Sequence, residues 1–123
     1  MTNSTALRTA SVLGFMAVAL GAFGAHGLKD LLQRNQAVGV WEKAVLYQFV
    51  HAVMLFVLAF RFPVARGPWW SFFLGILFFS GSLYLLALIQ LKWLGAITPF
   101  GGVSFLVGWF WLALKPPLSY EQH

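Results

Sequence analysis

Residues 69–91 read WWSFFLGILFFSGSLYLLALIQL, 23 residues without a charge. As a helix the stretch reaches roughly 34 Å, more than the ~30 Å thickness of bilayer hydrocarbon. Three further charge-free apolar runs accompany it, at residues 9–26, 44–60 and 94–114. They reach roughly 27, 26 and 32 Å as helices, so each is long enough to span. Amides in lipid must pair within their own segment, which makes runs of this kind helical. Composition agrees: 60% of the 123 residues are hydrophobic and 9% charged, against about 45–50% and 25% in soluble domains. A chain this short has too much surface to hide that excess from water. A soluble enzyme, a disordered chain and a coiled coil are excluded.

The connections at residues 61–68 and 92–93 are short, which forces their flanking helices to be antiparallel neighbours. The expected fold is all-α, an up-down antiparallel four-helix transmembrane bundle, with residues 1–123 as one integral membrane domain. The long connection, residues 27–43, places Leu28, Leu31 and Leu32 at helical spacing, with Lys29, Asp30, Gln33 and Arg34 off that face. A short amphipathic helix lying in the interface fits this pattern better than a plain polar loop. After Leu114, Pro116 and Pro117 stop the last helix, and residues 118–123 read as a frayed tail. A rival reading makes the first run a cleaved signal peptide, with Arg8 as its basic region. Ala17, Gly21 and Ala25 argue against it, because small residues four apart let helices approach closely in lipid.

Trp69 and Trp70 open the third span, and Trp109 and Trp111 close the fourth, so all four belong at one membrane face. Trp41 and Trp93 belong at the other. The net charge of +5 comes from single basic residues at helix ends, where cations meet headgroups. There is no basic cluster, so nucleic acid is rejected as a partner. With no cysteine, disulfides, thiolate metal sites and a cysteine nucleophile are excluded. Basic residues divide evenly, with Arg8, Arg61, Arg66 and Lys115 facing one side and Lys29, Arg34, Lys43 and Lys92 the other. The second loop, with two arginines and no acid, tips the reading towards cytoplasmic termini.

Polar residues inside the spans are costly in lipid and are the best functional clue. Tyr47, Gln48 and His51 share a face of the second helix, and Ser80 and Tyr84 share a face of the third. Thr98 lies in the fourth, and His26 ends the first. Counted from the ends of the apolar runs, His51 and Tyr84 lie about 10 Å deep, and Gln48 and Thr98 about 6 Å, from the same side. This predicts a polar pocket of His51, Gln48, Tyr47, Tyr84, Ser80, Thr98 and His26 in one leaflet. Thr98-Pro99 has the form of an N-cap followed by a first helical residue. The fourth helix therefore either starts at Pro99, aiming its N–H groups into the pocket, or continues through it with a kink. Gly21, Gly81, Gly101, Ser104 and Gly108, with Ala17 and Ala25, are the expected close-packing positions.

His51 has three readings: proton relay, haem or metal ligand, and packing residue satisfied by Gln48, Tyr84 or Ser80. Two histidines without an intramembrane carboxylate make a poor metal site, and His26 and His51 differ by about 10 Å in depth, unsuited to a bis-histidine haem. No metal or cofactor is expected. The spans hold no Asp, Glu, Lys or Arg, nothing orients Ser80 and His51 as a dyad, and no catalytic constellation emerges. The missing carboxylate also argues against a proton-coupled exporter.

The stretch Ala19-Leu20-Gly21-Ala22-Phe23-Gly24-Ala25-His26 resembles the opening motif of the YgdD-like small membrane proteins, the domain-of-unknown-function family numbered 423. Tyr47-Gln48-x-x-His51, Ser80-Gly81-Ser82-Leu83-Tyr84 and Thr98-Pro99-Phe100-Gly101-Gly102-Val103-Ser104-Phe105, followed by Gly108-Trp109, resemble its later motifs. The resemblance covers nearly the whole chain. It implies a bacterial inner-membrane protein of four helices and no known activity. Three readings of function follow. The first is a non-catalytic bundle that associates with itself or with a larger membrane complex. The second is an oligomeric channel or transporter for a small polar solute. The third is a protein that binds a lipophilic, quinone-like ligand through His51 and Tyr84.

Overall fold

The structure is a computed structural model and describes residues 1–61 and 63–115; the tail expected at residues 118–123 lies outside them. The helices are α1 (Asn3–Ala25), α2 (Lys29–Arg34), α3 (Val38–Ala59), α4 (Arg66–Gly75), α5 (Gly81–Ile89) and α6 (Leu94–Leu114). A π-helical turn, Ile76–Ser80, joins α4 to α5 without a break. Four helical stretches are long and apolar enough to cross a membrane: α1, α3, the third span Arg66–Ile89, and α6.

Two spans begin earlier than the charge pattern predicts. α1 starts at Asn3, because the Thr2 hydroxyl accepts from the Thr5 N–H at 3.1 Å and caps the first turn. α3 starts at Val38, two turns ahead of residue 44, and runs through Glu42 and Lys43. A charge limits how deep a helix sits in lipid, but it does not end the helix. α6 runs continuously from Leu94 with Pro99 inside it, so the chain is already helical before the proline. The Thr98 hydroxyl caps nothing; it turns back to the Leu94 carbonyl.

Small side chains set the closest approaches. Ala6, Ala10, Leu13 and Ala17 form the buried stripe of α1 against α3, at the spacing of one helix face. Their antiparallel register is fixed at one end by Asn3, whose amide donates to the carbonyls of Ala59 (2.8 Å) and Arg61 (3.1 Å). Farther along, the Trp41 indole donates to the Leu20 carbonyl at 2.8 Å. On the other side of the molecule, Gly101 of α6 lies against the backbone of Phe78 and Phe79 in the π turn, where a Cβ would have no room.

The four spans form an open row. α3 packs on α1 and on the third span, and α6 packs on the third span. α1 and α6 have no Cα atoms within 8 Å of each other among the described residues. The short helix α2 exists, as its leucine spacing predicts, with Leu32 buried. It is held to the end of the third span by Asn35, whose amide donates to the Ala87 carbonyl at 2.9 Å, while Gln90 donates to the Asn35 carbonyl at 2.8 Å. Gln90 is therefore a cap residue in the left-handed region, outside the helix it was counted with.

Trp41 and Trp69 are almost wholly buried among the helices, while Trp70, Trp93, Trp109 and Trp111 stay exposed. An indole is a large apolar body with one donor, and it serves as a core residue when the interior has room. Trp41 finds its acceptor on α1. The Nε1 of Trp69 is buried and has no partner among the described residues.

Candidate functional site

The polar residues of the spans form two layers of hydrogen bonds around α3. In the first, Gln48 joins three helices. Its amide donates to the Leu13 carbonyl of α1 at 2.9 Å, and its side-chain oxygen accepts from the Tyr84 hydroxyl of α5 at 2.6 Å. Trp41 meets the Tyr84 ring edge-on at 4.8 Å between centroids. Ser80, wholly buried, donates to the Ala44 carbonyl at 2.7 Å. Ser82 and Thr98 share a 2.6 Å hydroxyl–hydroxyl bond between α5 and α6. Helix carbonyls carry a second lone pair, so Leu13, Leu20 and Ala44 accept these bonds without losing their own helical ones.

The second layer is built on His51. Its Nδ1 lies 2.7 Å from the Tyr47 carbonyl, and its Nε2 lies 3.0 Å from the Trp109 indole Nε1. A carbonyl only accepts and an indole only donates. The ring is therefore the neutral tautomer with its proton on Nδ1, and both nitrogens are engaged. Phe105 stacks on the imidazole at 3.7 Å and 13°, and Phe72 tilts over it at 5.3 Å. Phe105 lies against Gly75 and Phe72 against Gly108, glycines whose missing side chains leave room for the rings. Nearby, Ser104 donates to the Ser71 carbonyl at 2.6 Å.

His51 lies about 20 Å from the Val38 end of α3 and about 12 Å from its Ala59 end. The earlier start of α3 therefore moves His51 away from the Gln48 layer and into the layer of Trp109. Gln48, Tyr84, Ser80 and Thr98 belong to the first layer, and His51 and Tyr47 to the second. Tyr47 contributes its carbonyl, while its ring packs on Phe79 and remains 39% exposed. His26 lies apart, exposed at the end of α1, beside a shallow hollow with Phe23 and Gly27.

Of the packing positions, Ala17 is wholly buried, Gly21 faces Val45, and Gly101 and Gly108 receive the third span. Ser104 bonds that span, Gly81 faces open space, and Ala25 is exposed. Trp109 and Phe105 were not singled out for the His51 site. Their signal was present: positions 101, 105 and 108 fall on one helix face, and Trp109 is one turn beyond Phe105.

Among the described residues, no three His, Cys, Asp or Glu side chains come together to hold a metal. The largest cavity, ≈ 440 Å³, lies on the other flank of α3, between α1, α2 and α3, and shares no lining residue with either polar layer except Trp41.

Comparison with known proteins agrees with this picture of an intramembrane bundle. The sequence profile of the family described as "Protein of unknown function (DUF423)" matches residues 20–102. A UPF0382 membrane protein of Staphylococcus epidermidis is 50% identical over 103 residues, covering 80% of this chain and 84% of the relative. The UPF0382 membrane protein YwdK of Bacillus subtilis is 42% identical over 110 residues, covering 85% and 89%. No solved structure matches. With four apolar helices and relatives named as membrane proteins, the chain belongs to the DUF423 family of multi-pass membrane proteins.

Proposed function

We propose that the protein is a non-catalytic bundle that works by assembling in the plane of the bacterial plasma membrane, with copies of itself or as an accessory subunit of a larger complex. The observation that carries this reading is the open row. α1 and α6 stand at its two ends, do not touch, and bury only 17% of their apolar windows, against 39% for the two inner spans. Helices associate in lipid through packing, and a row with two free flanks can add a neighbour on either side. The absence of catalysis is supported by the engagement of His51, Gln48, Ser80, Ser82, Tyr84 and Thr98 with other groups of the same chain. A proton relay or a conducting path needs such groups facing a ligand or water. In this reading they are the frame that fixes helix register. Both termini are placed in the cytoplasm, with the two arginines of the second loop on that side.

Native mass spectrometry of protein extracted gently from its own membrane tests the proposal. A reproducible homo-oligomer or a constant protein partner is expected. A strict monomer without partner, together with solute flux in vesicles, would overturn it. Reporter fusions at each terminus test the orientation.

A further inference from the structure

The cleft between α1, α2 and α3 is graded from charged to apolar. Its floor on α1 includes Gly21, and its lining on α3 runs from Glu42 through Leu46 to Phe49. These three α3 positions share one helix face and descend about 10 Å into the bundle. Lys29 of α2 lines the same cleft, as does Gln33. The charged end therefore lies where α1 ends and α3 begins, at the end of the spans. Leu46 and Phe49 are 58% and 45% exposed, so the apolar end is open sideways to lipid. A cavity of ≈ 440 Å³ is within the usual range for a small-molecule site.

A cation and an anion at one end of an apolar cleft define the occupant by charge. We propose that the cleft holds a single aminophospholipid, with its phosphate towards Lys29, its ammonium group towards Glu42, and one acyl chain lying along Leu46 and Phe49. A phosphate accepts charge-assisted hydrogen bonds from a lysine, and a primary ammonium donates them to a carboxylate. An anionic phospholipid without the ammonium meets Lys29 but is repelled by Glu42. The proposal is independent of what the bundle assembles with, because the cleft lies on its own helices and uses neither polar layer.

The test is native mass spectrometry of the purified protein in mild detergent, with equal amounts of phosphatidylethanolamine and phosphatidylglycerol added. Retention of phosphatidylethanolamine is expected to exceed that of phosphatidylglycerol by about fivefold, the effect of roughly one interfacial charge. Glu42→Lys, an exposed change that leaves the core alone, is expected to reverse the preference. Ala25→Phe, which fills the cleft from α1, is expected to abolish retention of both while the helical circular dichroism is unchanged. Equal retention of the two lipids by the unmodified protein, no response to Glu42→Lys, or a different molecule held in the cleft would each overturn the proposal, whether or not the Ala25→Phe variant folds.

Discussion

The indole N–H of Trp109 reaches the imidazole Nε2 of His51 at 3.0 Å, although their helices make no close backbone approach. The bond crosses the face of the third span, over Phe72 and beside Phe105. It thus ties α6 to α3 through side chains alone. Such bonds in bilayers average about 0.6 kcal/mol and reach about 1.7. The two side chains are therefore expected to couple by about 1 kcal/mol in a double-mutant cycle of His51→Phe and Trp109→Phe, read by denaturant unfolding in detergent. Strictly additive effects would show that the bond contributes nothing.

His51→Ala removes the ring on which Phe105 stacks as well as both hydrogen bonds, and leaves a cavity. A loss of about 2–4 kcal/mol is expected, typical of emptying a well-packed site. His123→Ala is the control and is expected to have no effect. A thermal melt of both variants checks this. Similar, negligible shifts would deny His51 its place in the packing.

The glycines separate into two kinds. Gly101 faces the backbone of the π turn and Gly81 faces open space. Backbone cannot move aside as a side-chain tip can, so Gly101→Ala is expected to cost about 2 kcal/mol or more. Gly81→Ala meets nothing, and its helix gains about 0.5–1 kcal/mol from the added methyl. Opposite signs in the two melting shifts are the expected result.

Tyr84→Phe deletes the hydroxyl that Gln48 accepts from, and is expected to destabilise by about 1 kcal/mol. Gln48→Leu removes the bonds to α1 and α5 together. If Gln48 is the junction of three helices, the two changes combined will cost less than the sum of each alone.

The existence and order of the spans were legible because lipid imposes one rule on every backbone amide, and charge-free runs show where that rule applies. Their starts were not legible. Anchoring the second span at residue 44 instead of Val38 placed His51 in the wrong layer, because depth was counted from a charge and not from a cap. Tyr84 and Gln48 shared a layer as expected. Their mutual bond depends on side-chain reach, which periodicity does not report. The six tryptophans all sit near span ends in sequence, which marks headgroup anchors and buried cores equally well, so the burial of Trp41 and Trp69 had no distinguishing sign. The lipid cleft arises from the way α2 folds back onto α5 through Asn35, a long-range contact invisible to local pattern.

The π turn at Ile76–Ser80 carries one residue more than an α-helix of the same rise would need. The third span is thus two helical phases joined at a dislocation, with α4 and α5 each aimed correctly only because of the extra residue. Removing any one residue from the turn would do more than shorten the span. It would rotate all of α5 by about 100° relative to α4, carrying Ser82 away from Thr98 and Tyr84 away from Gln48, and exchanging the lipid face of that half for its interior. Chain length at these five positions is therefore under tighter constraint than their side chains, and a single-codon deletion there is expected to be more damaging than any substitution.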